Sequence, residues 1–173
     1  VEKMSAAGRS SPPQRRTSKS FVHETLAGSG RIERMRIWRS EQVPAEEDSP
    51  QDGEVAGRTR LQALFLIGDE VCGHPEYLHG GFLATLLDDM FGCAVHTEKQ
   101  AQGIPLRSRI FTANLNINYR KPVLANGTYL VEARVTKIVR GKKMYLEGTI
   151  YDQKGNAMVQ STCLFIIQTP PTP

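Results

Sequence analysis

The stretch that decides the fold runs His79-Gly80-Gly81-Phe82-Leu83-Ala84-Thr85-Leu86-Leu87-Asp88-Asp89-Met90-Phe91-Gly92-Cys93-Ala94-Val95-His96. Its apolar residues recur at helical spacing and occur on several sides, which predicts one helix that is covered on most faces. Asp88 and Asp89 lie in the middle of this apolar segment. A carboxylate removed from water costs on the order of several kcal/mol unless it is paired, hydrogen-bonded or used in chemistry, so both acids need a physical reason.

The paired glycines at the start of this helix indicate a place where a ligand or another backbone can approach closely. The free N–H groups and the positive dipole end there favour an anion or a developing oxyanion. Gly81 and Asp88 differ by about 20° around the helix axis but stand roughly 10 Å apart along it, so one small reacting group cannot touch both. The most economical arrangement brings the carboxylate from a second, antiparallel copy of the helix, which predicts a two-fold dimer with two interface sites. The alternative is a core helix whose Asp88 caps a neighbouring loop.

Length and composition fit one ordinary folded domain. The chain has 173 residues, 39% of them hydrophobic, and no apolar run approaches the roughly 18–20 residues of a membrane span, so no stable membrane insertion is expected. The net charge of +4 comes from residues 1–20, which hold five basic residues against one acidic residue. Because the remaining chain is balanced at 17 basic and 17 acidic residues, the composition argues against nucleic-acid binding.

The three cysteines, Cys72, Cys93 and Cys163, are odd in number and have no metal-ligand spacing. We therefore expect reduced thiols, no metal site and an intracellular location. The basic, Ser-rich start of the chain resembles the remnant of a mitochondrial presequence, but an ordinary tail has the same composition, so the choice between mitochondrial and cytoplasmic location stays open.

Three segments divide the chain. Residues 1–25 are predicted to form a disordered basic tail, residues 26–169 one folded domain with an acidic loop at 41–57, and residues 170–173 a Pro-rich end. Within the domain, alternating patterns predict strands, and polar stretches at 68–78 and 98–108 predict a loop and a connector. The predicted strands are 31–38, 58–67, 110–119, 128–139, 143–151 and 157–168. A sheet built from such strands has only one apolar helix to cover it, which indicates an α+β architecture with an antiparallel sheet wrapped around one long central helix.

The sequence resembles a known family at two places. His79-Gly80-Gly81, with Asp88 nine residues after the histidine, and the run Thr112-Ala113-Asn114-Leu115-Asn116-Ile117-Asn118-Tyr119-Arg120-Lys121-Pro122 are similar to the hot-dog-fold acyl-coenzyme A thioesterases. Within that family, the likeness is greatest to the group of thioesterase superfamily members that includes carboxyl-terminal modulator protein. It covers about residues 61–167. The resemblance implies hydrolysis of an acyl-coenzyme A thioester to a free acid and coenzyme A, without metal or cofactor.

The resemblance also implies roles for individual residues. Asp88 is expected to act as general base or nucleophile on the thioester carbon, the amide of Gly81 to polarise the thioester oxygen, His79 to orient the site, and Thr112 to position the water or the carbonyl. Asp89 matches no acid of the family and is expected to be structural, paired with a nearby cation. The expected substrate-binding residues are Gly80, Asn118, Arg120, Lys121, Gly141, Lys142 and Lys143.

Two other functions remain as alternatives. The protein could be a non-catalytic hot-dog protein that binds acyl-coenzyme A or regulates a partner, because fold does not fix function. The enoyl-coenzyme A hydratase branch of the fold is less favoured. Its motif has a His five residues after the Asp, whereas here the residue five after Asp88 is Cys93. The predicted assembly is a homodimer, with a dimer of dimers left open.

Overall fold

The computed structural model describes residues 20–40, 53–105 and 107–168. After a π-helical turn at Phe21–Thr25, one long helix, α1, spans Gly80–Ala101, and nine strands surround it. The strands are β1 (Ile32–Ser40), β2 (Glu54–Ala56), β3 (Arg60–Ile67), β4 (Cys72–His74), β5 (Tyr77–Leu78), β6 (Arg109–Tyr119), β7 (Gly127–Val139), β8 (Lys143–Tyr151) and β9 (Ala157–Gln168).

The main sheet is antiparallel and has the order β1-β3-β7-β8-β9-β6, with β2 paired to β7. The apolar side of α1 packs on it, so that Leu86, Leu87, Met90 and Phe91 are fully buried. A Cβ at Gly148 of β8 would lie 2.7 Å from the ring of Phe91, so this close approach of helix and sheet requires glycine. The structure thus confirms the predicted antiparallel sheet around one helix.

The helix α1 ends at Ala101, later than the sequence predicted. Residues 98–101, which were expected to begin the connector at 98–108, are therefore helical. Glu98 and Lys99 are charged but buried, and both have partners. The Glu98 carboxylate accepts hydrogen bonds from the Arg58 backbone N–H at 3.0 Å and from the Gln102 side chain at 2.8 Å. The Lys99 ammonium donates to a backbone carbonyl at 2.6 Å. A charged side chain with such hydrogen bonds can be buried in a helix. A polar sequence alone does not show that these hydrogen bonds form, and the segment was therefore predicted to be a connector.

Two expected loops contain short strands. Residues 54–56 of the acidic loop form β2, which Glu54 fixes by pairing with the Lys137 ammonium at 3.1 Å, while residues 41–52 lie outside the described part of the chain. The loop at 68–78 contains the small β4–β5 hairpin. In both places the pairing is too short to show as an alternating pattern in the sequence.

The end of the expected basic tail is ordered. Phe21–Thr25 form a turn that packs on α1, Val22 is buried at 2% exposure, and the Ser20 hydroxyl accepts from the His23 backbone N–H at 3.2 Å. Residues 1–19, which make up most of that tail, and the Pro-rich end at 170–173 lie outside the described residues. Across the part of the chain that is described, no helix has the combination of length and apolarity needed to cross a bilayer.

The sheet has β1 at one edge and β6 at the other. Among the described residues, β6 pairs on one side only, with β9, and most of its eleven residues are exposed. Phe111 and Tyr119 are 47% and 52% exposed near its two ends. A long edge strand with exposed aromatic residues is a surface that natural proteins usually cover.

Candidate active site

The acid at the centre of the helix contacts β6. The Thr112 hydroxyl donates a hydrogen bond to Asp88 Oδ1 at 2.8 Å, and the half-buried carboxylate keeps one side toward solvent. Burial and then the charge of Asp88 raise the pKa of the Cys163 thiol on β9 to about 12. Two predicted catalytic residues, 24 positions apart in sequence, are therefore brought together.

The helix start is capped by His79. Its ring Nδ1 accepts a hydrogen bond from the Gly81 backbone N–H at 2.9 Å. A Cβ at Gly81 would lie 3.0 Å from Nδ1, so glycine leaves the ring room to close over the amide. The amide that the sequence assigns to the thioester oxygen thus already has an acceptor, the His79 ring, in this structure.

An open cavity of about 470 Å³ lies beside this helix start. Gly80, Tyr119, Arg120 and Lys121 are among its lining residues, and the Tyr119 hydroxyl donates to the Gly80 carbonyl at 2.8 Å. The Arg120 Nε donates to the Gln160 side chain at 2.9 Å, which orients the guanidinium. The structure therefore gathers three of the expected substrate-binding residues. Tyr119 was not among the expected site residues, although an aromatic residue directly before Arg-Lys-Pro was a usable signal.

The other expected cations lie at the far end of the sheet. Lys143 pairs in register with Ile166, which pairs with Phe111 at the start of β6, whereas Arg120 follows the end of β6. At about 3.4 Å per residue, the two groups are roughly 30 Å apart within one chain. Gly141 and Lys142 form the exposed turn before Lys143, and Asn118 is exposed near the Arg120 end. One protomer does not bring the whole expected set together.

Asp89, the next residue along the helix, points about 100° away from Asp88 around the axis and contacts the N-terminal turn. Its carboxylate lies 2.9 Å from His23 Nε2, a partner that is a cation, as the sequence predicted for this acid, only when the imidazole is protonated. The pKa of Asp89 is raised, chiefly because the carboxyl group is partly buried. The His23 ring acts in the opposite direction and lowers this pKa, while the charge of Asp88 raises it. With Cys93 these residues place three ligand-type atoms within 4.8 Å of one another. Burial and the charge of Asp89 raise the pKa of the Cys93 thiol to about 11.

Comparison with known proteins agrees with this geometry. Residues 76–159 match the model of the Thioesterase superfamily. The chain is 34% identical over 115 residues to acyl-coenzyme A thioesterase THEM4 of Rattus norvegicus, covering 66% of this chain and 46% of the relative. It is also 34% identical over 110 residues to the mitochondrial membrane protein FMP10 of Saccharomyces cerevisiae, described as uncharacterized, covering 62% of this chain and 43% of the relative. The chain spans less than half the length of these relatives.

A solved structure supports the same conclusion. The BH2602 protein from Bacillus halodurans, crystallised with coenzyme A, superposes with a TM-score of 0.54 at 26% identity, covering 65% of this chain and 70% of that protein. Taken with the family match, the helix start at His79-Gly80-Gly81 and the Asp88–Thr112 pair identify residues 76–159 as a domain of the thioesterase superfamily with the hot-dog fold.

Proposed function

We propose that the protein hydrolyses an acyl-coenzyme A thioester to a free acid and coenzyme A, with two active sites at the interface of a homodimer. The observation that carries the proposal is the 2.8 Å hydrogen bond from Thr112 to the half-buried Asp88 carboxylate. A hydroxyl that holds one carboxylate oxygen leaves the other free to take a proton from water or to attack a carbonyl carbon. The thioesterase name of the rat relative supports this reaction.

The dimer follows from the separation of the site's parts. Within one chain the Gly81 amide lies beside the Tyr119 end of β6, while Asp88 bonds to Thr112 near the other end. Thr112 and Tyr119 are seven residues apart on the strand. On the helix, Gly81 and Asp88 lie roughly 10 Å apart along the axis, too far for one small reacting group to touch both. If the exposed β6 edges of two copies pair antiparallel, the Thr112 end of one strand lies alongside the Tyr119 end of the other. Asp88 of one protomer then approaches Gly81 of its partner.

In this arrangement the reaction needs no metal or cofactor. As general base, Asp88 takes a proton from a water whose oxygen bonds to the thioester carbon. The carbonyl oxygen becomes an oxyanion that the Gly81 N–H stabilises once the His79 ring releases it, and the positive end of the helix adds to this effect. The carbon–sulfur bond then breaks and the proton passes to the departing thiolate. As nucleophile, Asp88 instead bonds to the thioester carbon, and the carbon–sulfur bond breaks to release the coenzyme A thiolate. Water then hydrolyses the resulting acyl anhydride to the free acid and regenerates the Asp88 carboxylate.

The same dimer would unite the cations. Antiparallel pairing places Arg120 and Lys121 of one protomer beside the Lys142 and Lys143 turn of the other, on either side of one site. Phosphate oxygens favour such cations, and arginine binds them with paired hydrogen bonds. The coenzyme A in the Bacillus halodurans structure supports this ligand class. We also favour a mitochondrial over a cytoplasmic location, on the name of the yeast relative and the basic first twenty residues.

The proposal is tested by the release of free thiol from a panel of acyl-coenzyme A esters. Asp88→Asn keeps the hydrogen bond from Thr112 but removes the base, and we expect kcat to fall by about a thousandfold. The control is Asp69→Asn, which changes an exposed loop carboxylate and should leave the rate unchanged. Equal rates for wild type and Asp88→Asn would contradict the proposal. Loss of the enoyl absorbance of crotonyl-coenzyme A without thiol release would instead support the hydratase alternative.

A further inference from the structure

A second cavity, of about 390 Å³, lies between the N-terminal turn and the start of α1. Its lining contains no Asp, Glu, Lys or Arg side chain and includes Phe21, Leu26, Val71 and Phe82. His79 and Gly81, the polar end of the proposed catalytic site, also line it. The cavity therefore begins at the amide proposed to hold the thioester oxygen and continues over apolar surface.

We propose that this cavity binds the acyl chain of the thioester and that Phe21 sets the length of chain accepted. This inference rests on the proposed thioesterase function and adds the ligand subsite and its wall. The chemistry that fits the lining is an uncharged, apolar acyl group, because the described lining has no Asp, Glu, Lys or Arg with which a charged end group could form an ion pair.

Neighbouring glycines separate the two halves of the substrate. Gly80 lines the cavity that contains Arg120 and Lys121, and Gly81 lines the apolar cavity. A thioester held at the Gly81 amide thus has cations on one side, where the coenzyme phosphates would lie, and apolar side chains on the other. The sequence of polar and apolar surfaces matches the sequence of groups in an acyl-coenzyme A molecule.

Phe21 is presented to this cavity by a turn that is itself well fixed. Val22 is buried at 2% exposure, whereas the adjacent Phe21 is 58% exposed. A large aromatic side chain left that exposed beside an apolar cavity provides contact area that a bound chain can cover. Burial of each additional methylene of the chain would then be favourable.

The turn is held in place from two directions. The His23 ring contacts the Asp89 carboxylate at 2.9 Å, and the Leu26 backbone N–H donates to the Phe21 carbonyl at 2.9 Å. The Arg31 side chain adds a hydrogen bond to the Thr25 carbonyl at 3.0 Å. Asp89, which has no part in the proposed catalytic site, thus gains a role: through His23 it holds the turn that presents Phe21 to the acyl-chain cavity. Asp89 is a positioning residue in this account.

The direct test is calorimetric binding of S-alkyl-coenzyme A thioethers, which cannot be hydrolysed, with alkyl chains from two to ten carbons. For wild type we expect the affinity to rise about fourfold per methylene until the subsite is filled. Phe21→Ala should flatten this dependence and leave the affinity for the two-carbon ligand unchanged. Trp38→Ala, which removes another partly exposed aromatic residue on β1, should keep the wild-type dependence.

Two further variants sharpen the outcome. Phe21→Trp should shorten the chain at which affinity stops rising, and Asp89→Asn should weaken long-chain ligands more than the two-carbon ligand. A dependence on chain length that is the same in Phe21→Ala and wild type would overturn the inference, even if the protein hydrolyses thioesters. The expected binding pattern without hydrolysis would instead refute the proposed reaction and keep the subsite.

Discussion

The two ends of β6 carry the complementary parts that we propose for one active site. At one end Thr112 holds the Asp88 carboxylate, and the Lys142 turn lies nearby at the same end of the sheet. At the other end Tyr119 bonds to the helix start, and the Gly81 amide and Arg120 lie close by. In the proposed mechanism one end supplies the base and the other supplies the oxyanion donor. On that proposal a single protomer holds only half of the machinery, and a two-fold axis near the middle of β6 completes it.

The largest effect is expected from a charge placed near that axis. Asn116 is exposed on β6, and Asn116→Lys would place two ammonium groups close to each other in an antiparallel β6 pair. We expect the variant to elute as a monomer in gel filtration and to lose turnover by more than about a hundredfold at low protein concentration. Ser40→Lys, on the edge strand β1, is the matched control and should remain dimeric and active. A monomeric Asn116→Lys protein with full activity would refute the division of the site.

A smaller effect is expected at the Thr112 end. Thr112→Val removes the hydroxyl that bonds to Asp88, and a hydrogen bond to a charged group contributes about 1.5–3 kcal/mol. We therefore expect kcat to fall by about ten- to a hundredfold, with KM little changed, in the free-thiol assay. Thr112→Ser restores the hydroxyl and should recover most of the rate. If the serine variant is as slow as the valine variant, the hydroxyl does not position the acid.

The smallest effect is expected from single cations. Arg120→Ala should raise KM for acyl-coenzyme A by about fivefold with little change in kcat, because an exposed charge contributes on the order of 1 kcal/mol. Lys142→Ala should act similarly, although it lies at the other end of the sheet. Arg36→Ala, an exposed arginine on β1, is the control and should leave KM unchanged. If Arg120→Ala raises KM and Lys142→Ala does not, the Lys142 turn does not contribute to the partner's site.

Much of this arrangement could be predicted from the sequence. The helical spacing after Gly81 predicted the central helix because it reports burial on one face. The alternation in residues 110–119 predicted the strand β6, although most of its residues, Phe111 and Tyr119 included, are exposed. The buried Glu98 and Lys99 were misread as solvated connector residues, since polarity alone does not reveal a satisfied charge. The ordered Phe21–Thr25 turn was missed for a similar reason, as it depends on one buried valine and one His23–Asp89 contact.

The site was predictable in its parts and less so in its assembly. Asp88, Thr112 and Gly81 could be assigned because each sits in a motif, and the Asp88–Thr112 contact agrees with the predicted roles. The hydrogen bond from the Gly81 amide to His79 could not be foreseen, because it depends on the rotamer of the imidazole. The grouping of all four cations was expected without regard to strand register, and the register places them at opposite ends of the sheet.

The central claim is that the acid and the oxyanion donor of one site belong to different protomers, and mixed dimers test it directly. One chain carries Asp88→Asn and the other carries Gly81→Pro, which removes the amide in the first helical turn, where proline is tolerated. Each variant is checked for folding by circular dichroism, and heterodimers are isolated with two affinity tags. We predict that both parent homodimers are inactive and that the heterodimer has about half the wild-type activity, from its one intact site. A heterodimer no more active than its parents would contradict the account.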